Sequence, residues 1–313
     1  MTDLKEIESR HISVLLKKLV DSIRINNDKK NIIVDCTLGM GGHASKIIEK
    51  MNKGDIFIGF DADIKNLELA EIRLNKINID KKIDIILINS NFRNLKDELN
   101  KREINAITGI YYDLGLSSLH LDEADRGFSF MLDGPLDMRF DKTRGKTAAD
   151  IVNSYTASEL REIFLKYGEE PGSNKISARI VEQRKKKKFK TTTDLSEIIG
   201  GLPKTKSRIF QAIRIEVNGE LKALETSLND AIKLLEKNGI IFVISFHSLE
   251  DRITKHLFRK ETKDCICRDI ICSCEHKKSL KVHTKKPIIP STEEIKKNPR
   301  SRSAKARFAE KIV

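Results

Sequence analysis

Glycines and carboxylates that follow short apolar runs are the residues of this sequence best suited to chemistry. Gly39, Gly41 and Gly42 come directly after a run that ends at Asp35, and Asp61 ends the next apolar run. Glycine allows the tight turn and the close approach of a ligand that a Cβ would block. A helix that begins after such a loop directs free amides toward a ligand, and the Asp61 carboxylate can accept two ribose hydroxyls. The pattern predicts a site for an adenosine-containing cofactor, either a dinucleotide or S-adenosylmethionine.

A further carboxylate, Asp113, ends another apolar run and begins the sequence DLGLSS at 113–118. Ligands of parallel sheets bind beyond the carboxyl ends of the strands, so Asp113 should face the reactive end of the cofactor. A carboxylate there can accept a hydrogen bond from an exocyclic amine and orient its delocalised lone pair toward a methyl group. A turn or helix-capping role is the alternative for Asp113.

Polar residues also follow the longest apolar run, at 240–246. His247 and Ser248 are therefore predicted to line the substrate pocket at the catalytic centre. Glu250 and Asp251 are explained equally well by a helix that begins after the run, since acidic residues are favoured in a first turn.

The alternation of apolar runs with helical patterns predicts a parallel sheet with right-handed crossovers. The predicted strands are 32–36, 56–60, 83–88, 107–112 and 240–246. From about 119 to 215 only helical patterns occur, at 158–167, 175–184 and 193–200, and 218–236 reads as one helix ended by Asn238-Gly239. The predicted fold is α/β, a Rossmann-like sheet with an inserted helical domain. Its parts are 1–118, the inserted substrate-recognition domain 119–215, and 216–313 with a basic C-terminal tail.

The net charge of +13 suggests a polyanionic partner, for which nucleic acid is the first candidate. Residues 281–313 hold ten Lys or Arg against three Glu, and a second basic cluster covers 184–190. Phosphate contacts that position RNA are predicted for Lys185 to Lys188 and for the tail arginines Arg300, Arg302 and Arg307, although a lysine-rich, solvated surface remains the alternative. No apolar run reaches the roughly 20 residues of a membrane span, and the charged start lacks the apolar core of a signal peptide. We therefore expect a cytoplasmic protein with no membrane partner.

Arginines and aromatic residues among turn formers mark the segment 126–139. Arg126, Phe128 and Arg139 are predicted to contact substrate RNA as part of a lid over a flipped base. Anchoring of the core by the aromatic rings is an equally good interpretation.

Four cysteines lie within ten residues, at Cys265, Cys267, Cys272 and Cys274. In a cytoplasmic protein such spacing favours metal over disulfides, which makes these thiols candidate zinc ligands. A hairpin with free thiols remains open, because the C-x-C spacing is tighter than in most zinc knuckles.

Several long stretches of the sequence resemble the RsmH (MraW) family of bacterial 16S rRNA cytosine-N4 methyltransferases. They include DCTLGMGGH at 35–43, DLGLSS at 113–118, RGFSF at 126–130, DGPLDMR at 133–139, FQAIRIEVN at 210–218, ISFHSLEDR at 244–252 and NPRSRSA at 298–304. Two departures are small: His120 stands where the family has glutamine, and 204–208 is a variant run.

The resemblance implies that S-adenosylmethionine is the cofactor. It implies that the cofactor is bound by Gly41, Gly42, His43, Asp61, Phe92 and Asp113, with His120 at the edge. It also implies that the partner is 16S rRNA within the small ribosomal subunit, and that the substrate is a cytidine in the decoding centre (P site). Two alternatives rest on the residues alone: a nicotinamide-dependent dehydrogenase, which would share the glycine loop, and an RNA-binding assembly factor without activity.

Overall fold

The computed structural model describes residues 12–267 and 273–313. The chain divides into two compact units, one formed by Met1–Gly115 together with Leu221–Val313 and the other by Leu116–Glu220. The units are called here the sheet unit and the helical unit. Their limits lie within a few residues of the predicted boundaries, and a substrate-recognition role for the helical unit stays a prediction.

The sheet unit contains seven strands in the order β3-β2-β1-β4-β5-β7-β6. The first five strands are parallel, and β7 runs antiparallel to both β5 and β6. The strands are β1 (Ile32–Asp35), β2 (Ile56–Asp61), β3 (Asp84–Asn89), β4 (Ile107–Asp113), β5 (Leu235–Ser245), β6 (Leu280–Val282) and β7 (Lys305–Lys311).

Helices cover both faces of this sheet, because the central strands are apolar on both sides. One face packs against α1 (Leu16–Ser22), α2 (Gly42–Lys50) and α3 (Ile64–Lys81). The other face packs against α4 (Leu95–Asn100), α11 (Glu220–Leu234) and α12 (Ser248–Lys260). A short helix, α13 (Thr292–Lys297), precedes β7. Among the described residues no helix is both long and apolar enough to cross a membrane.

The helical unit has its own apolar core, which is built around Phe164, Ile180 and Ile213. Its helices are α5 (Ser118–Asp122), α6 (Ala148–Ser154), α7 (Ala157–Lys166), α8 (Ser173–Lys186), α9 (Thr192–Ile199) and α10 (Pro203–Asn218). Capping boxes at Thr147, Thr156 and Thr191 begin three of them. Each box satisfies amides of the first turn that would otherwise have no partner.

The predicted helix over 218–236 is α11 (Glu220–Leu234), whose ends lie within two residues of the prediction, whereas the predicted stop signal at Asn238-Gly239 was wrong. Gly219 adopts a left-handed conformation, with φ of 59°, which separates α10 from α11. The chain then enters β5 at Leu235, several residues before the predicted start at 240. Asn238, with φ of 69°, lies in this strand, where the register with β4 is irregular. The Asn-Gly pair therefore forms a bulge and does not end a helix.

The C-terminal segment, predicted as a basic tail, supplies two strands and a helix. β7 lies between β5 and β6, and its residues Ala306 and Ala309 are fully buried. The basic residues of this segment therefore belong to ordered elements of the sheet unit.

Candidate active site

The loop between β1 and α2 has the turn geometry that its glycines predict. Gly39 and Gly41 have φ of 53° and 75°, a conformation that L residues with a Cβ rarely adopt. The Gly41 amide donates to the carbonyl of Leu38 at 2.9 Å, which closes the turn directly before α2. Backbone without side chains is thus presented at the carboxyl end of the sheet.

Asp61, at the end of β2, is joined to this loop. Its Oδ2 accepts the Gly39 amide at 2.8 Å, and its Oδ1 accepts the Asp63 amide at 2.8 Å. The side-chain amide of Asn66 donates to Oδ2 at 3.2 Å. The structure thus brings the predicted loop and the predicted carboxylate together, whereas a contact between Asp61 and a ribose stays a prediction.

Asp113 ends β4 at the same edge of the sheet, beside the loop. Its amide donates to Oγ1 of Thr37 at 2.6 Å. Its Oδ1 atom is buried and has no hydrogen-bond partner among the described residues. Burial, and secondarily the charge of Glu250, raises the pKa of the Asp113 carboxyl to about 7. An acceptor left without a donor at this place suits a ligand that carries an N–H or O–H group.

His43, in the first turn of α2, connects this carboxyl to the backbone. Its Nε2 lies 2.9 Å from the Val14 carbonyl, and its Nδ1 lies 3.4 Å from Oδ2 of Asp113. Burial lowers the pKa of His43 to about 4, so the ring is neutral at pH 7. A carbonyl only accepts, so the ring proton is on Nε2 and Nδ1 offers a lone pair to Asp113. Both ring nitrogens therefore face protein groups, and its predicted contact with the cofactor remains a prediction.

The loop after β5 is organised by Glu250. Its Oε2 accepts the amides of Phe246 and His247 at 2.8 and 3.2 Å, and its Oε1 lies 3.0 Å from Nε2 of His247. Glu250 thus caps the start of α12, as the helix-start interpretation expects, while neither ring nitrogen of His247 has a hydrogen-bond partner among the described residues. Ser248 is exposed at the first residue of α12. The catalytic roles of His247 and Ser248 stay predictions.

Phe92 belongs to the sheet unit and contacts an aromatic residue of β4. Its ring meets Tyr112 of β4 edge-on, with centroids 5.8 Å apart, and the Tyr112 hydroxyl pairs with Ser227 at 2.8 Å. A role of Phe92 against the cofactor stays a prediction.

Two polar residues beside Asp113 were not predicted as site residues. Asp35 is buried at the end of β1, accepts the Thr37 amide at 2.9 Å, and has a pKa raised to about 8 by burial. Thr37 binds the Asp113 amide. The signal that could have found them is the one that indicates Asp61 and Asp113, a polar residue at the end of a buried strand.

In the helical unit, the segment 120–140 forms a compact set of turns. The rings of His120 and Phe140 lie 5.1 Å apart, and Phe128 stacks on Phe140 at 5.5 Å. Arg126 is buried and donates through Nη2 to the carbonyls of Arg139 and Phe140 at 3.0 and 3.2 Å. Arg139 forms a two-pronged ion pair with Asp137. The core-anchor interpretation accounts for these contacts of Arg126 and Phe128, and RNA contacts by Arg126, Phe128 and Arg139 stay predictions.

The basic residues differ in their surroundings. Arg300 and Arg302 are exposed beside the turn at Pro299–Ser303, as phosphate contacts require. Within the basic cluster of α8, Arg184 donates to the carbonyls of Val152 and Tyr155, and so holds the end of α6. Arg307, predicted as a phosphate contact, is instead buried on β7 and forms a two-pronged pair with Asp251 at 2.6 and 3.2 Å. Position in the fold thus separates buried arginines with structural contacts from exposed ones.

Replacing Arg307 by alanine is expected to lower the free energy of unfolding by about 3 kcal/mol, because Asp251 keeps its charge but loses its partner. Arg302→Ala, at an exposed side chain, is expected to change it by less than about 0.5 kcal/mol. Urea unfolding of the two variants measures the difference. Equal stabilities would contradict a structural role for the buried pair.

The cysteine cluster lies apart from these residues, between α12 and β6. The thiols of Cys265, Cys267 and Cys274 come together without forming a disulfide, and Cys272 lies outside the described residues. Main-chain N–H donors from Ile266 and His276 lower the pKa of the Cys274 thiol to about 6. The thiolate form therefore predominates at pH 7.

Sheet order and site together define the class of protein. The strand order with a reversed β7, a glycine loop after β1 and an acidic residue ending β2 are the features of a class I S-adenosylmethionine-dependent methyltransferase. Two features of the site fit such a cofactor. The backbone at Gly39 and Gly41 carries no side chain, and Oδ1 of Asp113 has no hydrogen-bond partner among the described residues.

Comparison with known proteins gives the family. The model of the MraW methylase family matches residues 8–312, and the chain belongs to that family. The fold class and methyl donor predicted from the sequence are thereby confirmed.

Close relatives are named ribosomal RNA small subunit methyltransferase H. The protein from Clostridioides difficile is 44% identical over 98% of this chain and 100% of its own length. That from Finegoldia magna is 42% identical over 98% of this chain and 100% of its own. A solved rRNA methylase from Streptococcus thermophilus is 9% identical, with a TM-score of 0.43, over 95% of this chain and 94% of that one.

Proposed function

We propose that this protein methylates the exocyclic N4 amine of a cytidine in 16S rRNA, within the decoding centre (P site) of the small ribosomal subunit. Its relatives carry names that specify ribosomal RNA of the small subunit. The strong positive charge and the exposed arginines at 300 and 302 suit an RNA partner. The reaction takes place in the cytoplasm, where ribosomes are assembled.

Oδ1 of Asp113 has no hydrogen-bond partner in the part of the chain that the structure describes, and this observation carries the choice of an amine. A cytosine amine is a weak nucleophile, because its lone pair is delocalised into the ring. A carboxylate that accepts one N–H fixes the rotation of the amine and strengthens the lone pair for attack. Asp113 is positioned for this task by Thr37, whose Oγ1 accepts its backbone amide.

The methyl donor, when bound, would supply an electrophilic methyl on a sulfonium, so that no covalent enzyme intermediate is needed. The N–C bond would form as the C–S bond breaks and the neutral thioether leaves, and the proton that the amine loses would pass to Oδ1 of Asp113, which accepts that N–H group. Backbone at Gly41 and Gly42 together with Asp61 and Phe92 would hold the donor.

Two further groups complete the proposal. His247 and Ser248, which follow β5 at the same edge of the sheet as Asp113, would line the pocket for the base. His120 would border the donor, and Arg126, Phe128 and Arg139 would contact the RNA.

Transfer of label from tritiated S-adenosylmethionine to small-subunit rRNA tests the function. The rRNA comes from a strain that lacks the gene, and it is offered both as free RNA and as small subunits. We expect one methyl group per rRNA, with the modified nucleoside identified as N4-methylated cytidine by mass spectrometry. Matched rRNA from the parent strain should accept none, because its site is already modified. A methyl group on C5 of cytosine or on another base would refute the proposed specificity.

A further inference from the structure

Three cysteines outside the candidate active site form a cluster with the dimensions of a metal site. The Sγ atoms of Cys265, Cys267 and Cys274 lie within 4.8 Å of one another, and those of Cys265 and Cys274 are 3.8 Å apart. In a tetrahedral zinc site with Zn–S bonds of about 2.3 Å, two sulfurs are separated by about 3.8 Å. A disulfide would need about 2.05 Å.

Each of the three sulfurs also accepts a main-chain N–H group. Ile266 donates to Cys274 at 3.4 Å, Cys267 donates to Cys265 at 3.4 Å, and Ser273 donates to Cys267 at 3.3 Å. A neutral thiol is a weak acceptor, whereas a thiolate binds N–H groups well. Amide donors around sulfur orient metal-bound thiolates and offset their charge. The backbone is thus arranged for three negative sulfurs that share one cation.

The position of the cluster explains what a metal would do. The chain leaves α12 at Glu261 and comes back to the same residue at Ser279. The amides of Ser279 and Leu280 donate to the Glu261 carbonyl at 2.8 and 3.1 Å, which closes the loop. Within this excursion the described residues include one large apolar side chain, Ile266, which is 39% exposed. The described residues of this excursion bury little apolar surface, and a metal held by their thiols would fix their position.

We propose that Cys265, Cys267 and Cys274 are ligands of a structural zinc ion that fixes the connection between α12 and the edge strand β6. Three thiolates fill three of the four corners of the tetrahedral site that structural zinc prefers. The site lies outside the methyl-transfer chemistry and supplies no group to it.

Metal content of the full-length protein, purified without chelators, tests this proposal. We expect one zinc per chain by elemental mass spectrometry. Cobalt(II) in its place should show thiolate charge-transfer absorption and the intense d–d bands of a tetrahedral sulfur site. Cys265→Ser and Cys274→Ser should weaken zinc binding by at least about 100-fold, since even outer-shell partners contribute 10- to 100-fold.

Ser273→Ala is the matched control, because it alters the same loop but keeps all thiols and the Ser273 amide. It should retain the zinc. The cobalt spectrum of the unmodified protein remains decisive if a cysteine variant does not fold. Absence of stoichiometric metal together with no cobalt spectrum would overturn the proposal, as would a mass showing a Cys265–Cys274 disulfide in the native protein.

Discussion

Asp113→Asn is expected to lower kcat for methyl transfer by at least about 100-fold, the lower range for loss of a positioned general base or acceptor. Asparagine keeps the size of the side chain, and its carboxamide can still donate to Nδ1 of His43. It lacks the negative charge that polarises the amine of the substrate. Kinetics with labelled methyl donor and rRNA measure kcat, and calorimetry measures the affinity for the cofactor product, which we expect to be little changed.

Asp84→Asn is a suitable control, since this carboxylate is exposed at the start of β3, the opposite end of the parallel strands. It should leave kcat unchanged. An Asp113→Asn enzyme that retains full kcat would exclude Asp113 from the chemistry. Loss of cofactor affinity with an unchanged kcat would make Asp113 a binding residue.

The dependence of the methyl-transfer rate on pH tests the role of Asp113 a second time. Burial, and then Glu250, raise the pKa of the Asp113 carboxyl to about 7, and the ionised form is the acceptor. The rate should therefore rise as the pH increases through about 7, and Asp113→Asn should remove this rise. Because the folded pKa lies above the unfolded value, ionisation of Asp113 costs stability as the pH rises toward its folded pKa. The Asn variant should thus gain stability relative to the parent as the pH rises from about 4 to about 7.

Gly134→Ala is expected to lower the free energy of unfolding of the helical unit by more than about 3 kcal/mol, beyond the usual range for overpacking. A Cβ on Gly134 would lie 1.9 Å from the carbonyl oxygen of Ala124, which is backbone and cannot rotate away. Gly134 is also fixed from the other side, because its carbonyl accepts the Thr192 amide at 2.9 Å. Urea unfolding of the full chain, followed by amide hydrogen exchange, locates the loss.

Gly145→Ala separates this clash from ordinary backbone strain. Gly145 belongs to the same unit and has φ of 83°, but among the described residues nothing lies within 4 Å of the position that an added Cβ would take. We expect it to cost about 1 kcal/mol, the usual penalty of a left-handed conformation. A Gly134→Ala variant no less stable than Gly145→Ala would show that the turns at 124–137 are not interlocked.

The local signals of the sequence predicted the first half of the sheet and the cofactor loop. Apolar runs bounded by polar residues located β1 to β4 to within two residues at each end. Glycines at 39 and 41 indicated a turn that only positive φ allows, and Asp61 followed from its place after a strand. These features depend on residues close together in the chain, so the local sequence pattern is sufficient to predict them.

Strand β7 is an element that the local sequence pattern did not predict. Its residues 305–311 include three Lys or Arg, and in sequence they resemble a solvated tail. They form a strand because β5, more than fifty residues earlier, offers an unpaired edge whose hydrogen bonds they satisfy. Pairing between distant segments overrides local composition.

The sequence by itself determined the class of fold, the glycine loop and the carboxylates at the ends of β2 and β4. Tertiary structure alone decided what each polar side chain faces. It pairs Arg307 with Asp251, leaves Oδ1 of Asp113 without a donor among the described residues and gathers three thiols beside α12. The physical reason is that charge, pKa and ligand geometry depend on neighbours within a few ångströms, and these neighbours come from segments far apart in the chain.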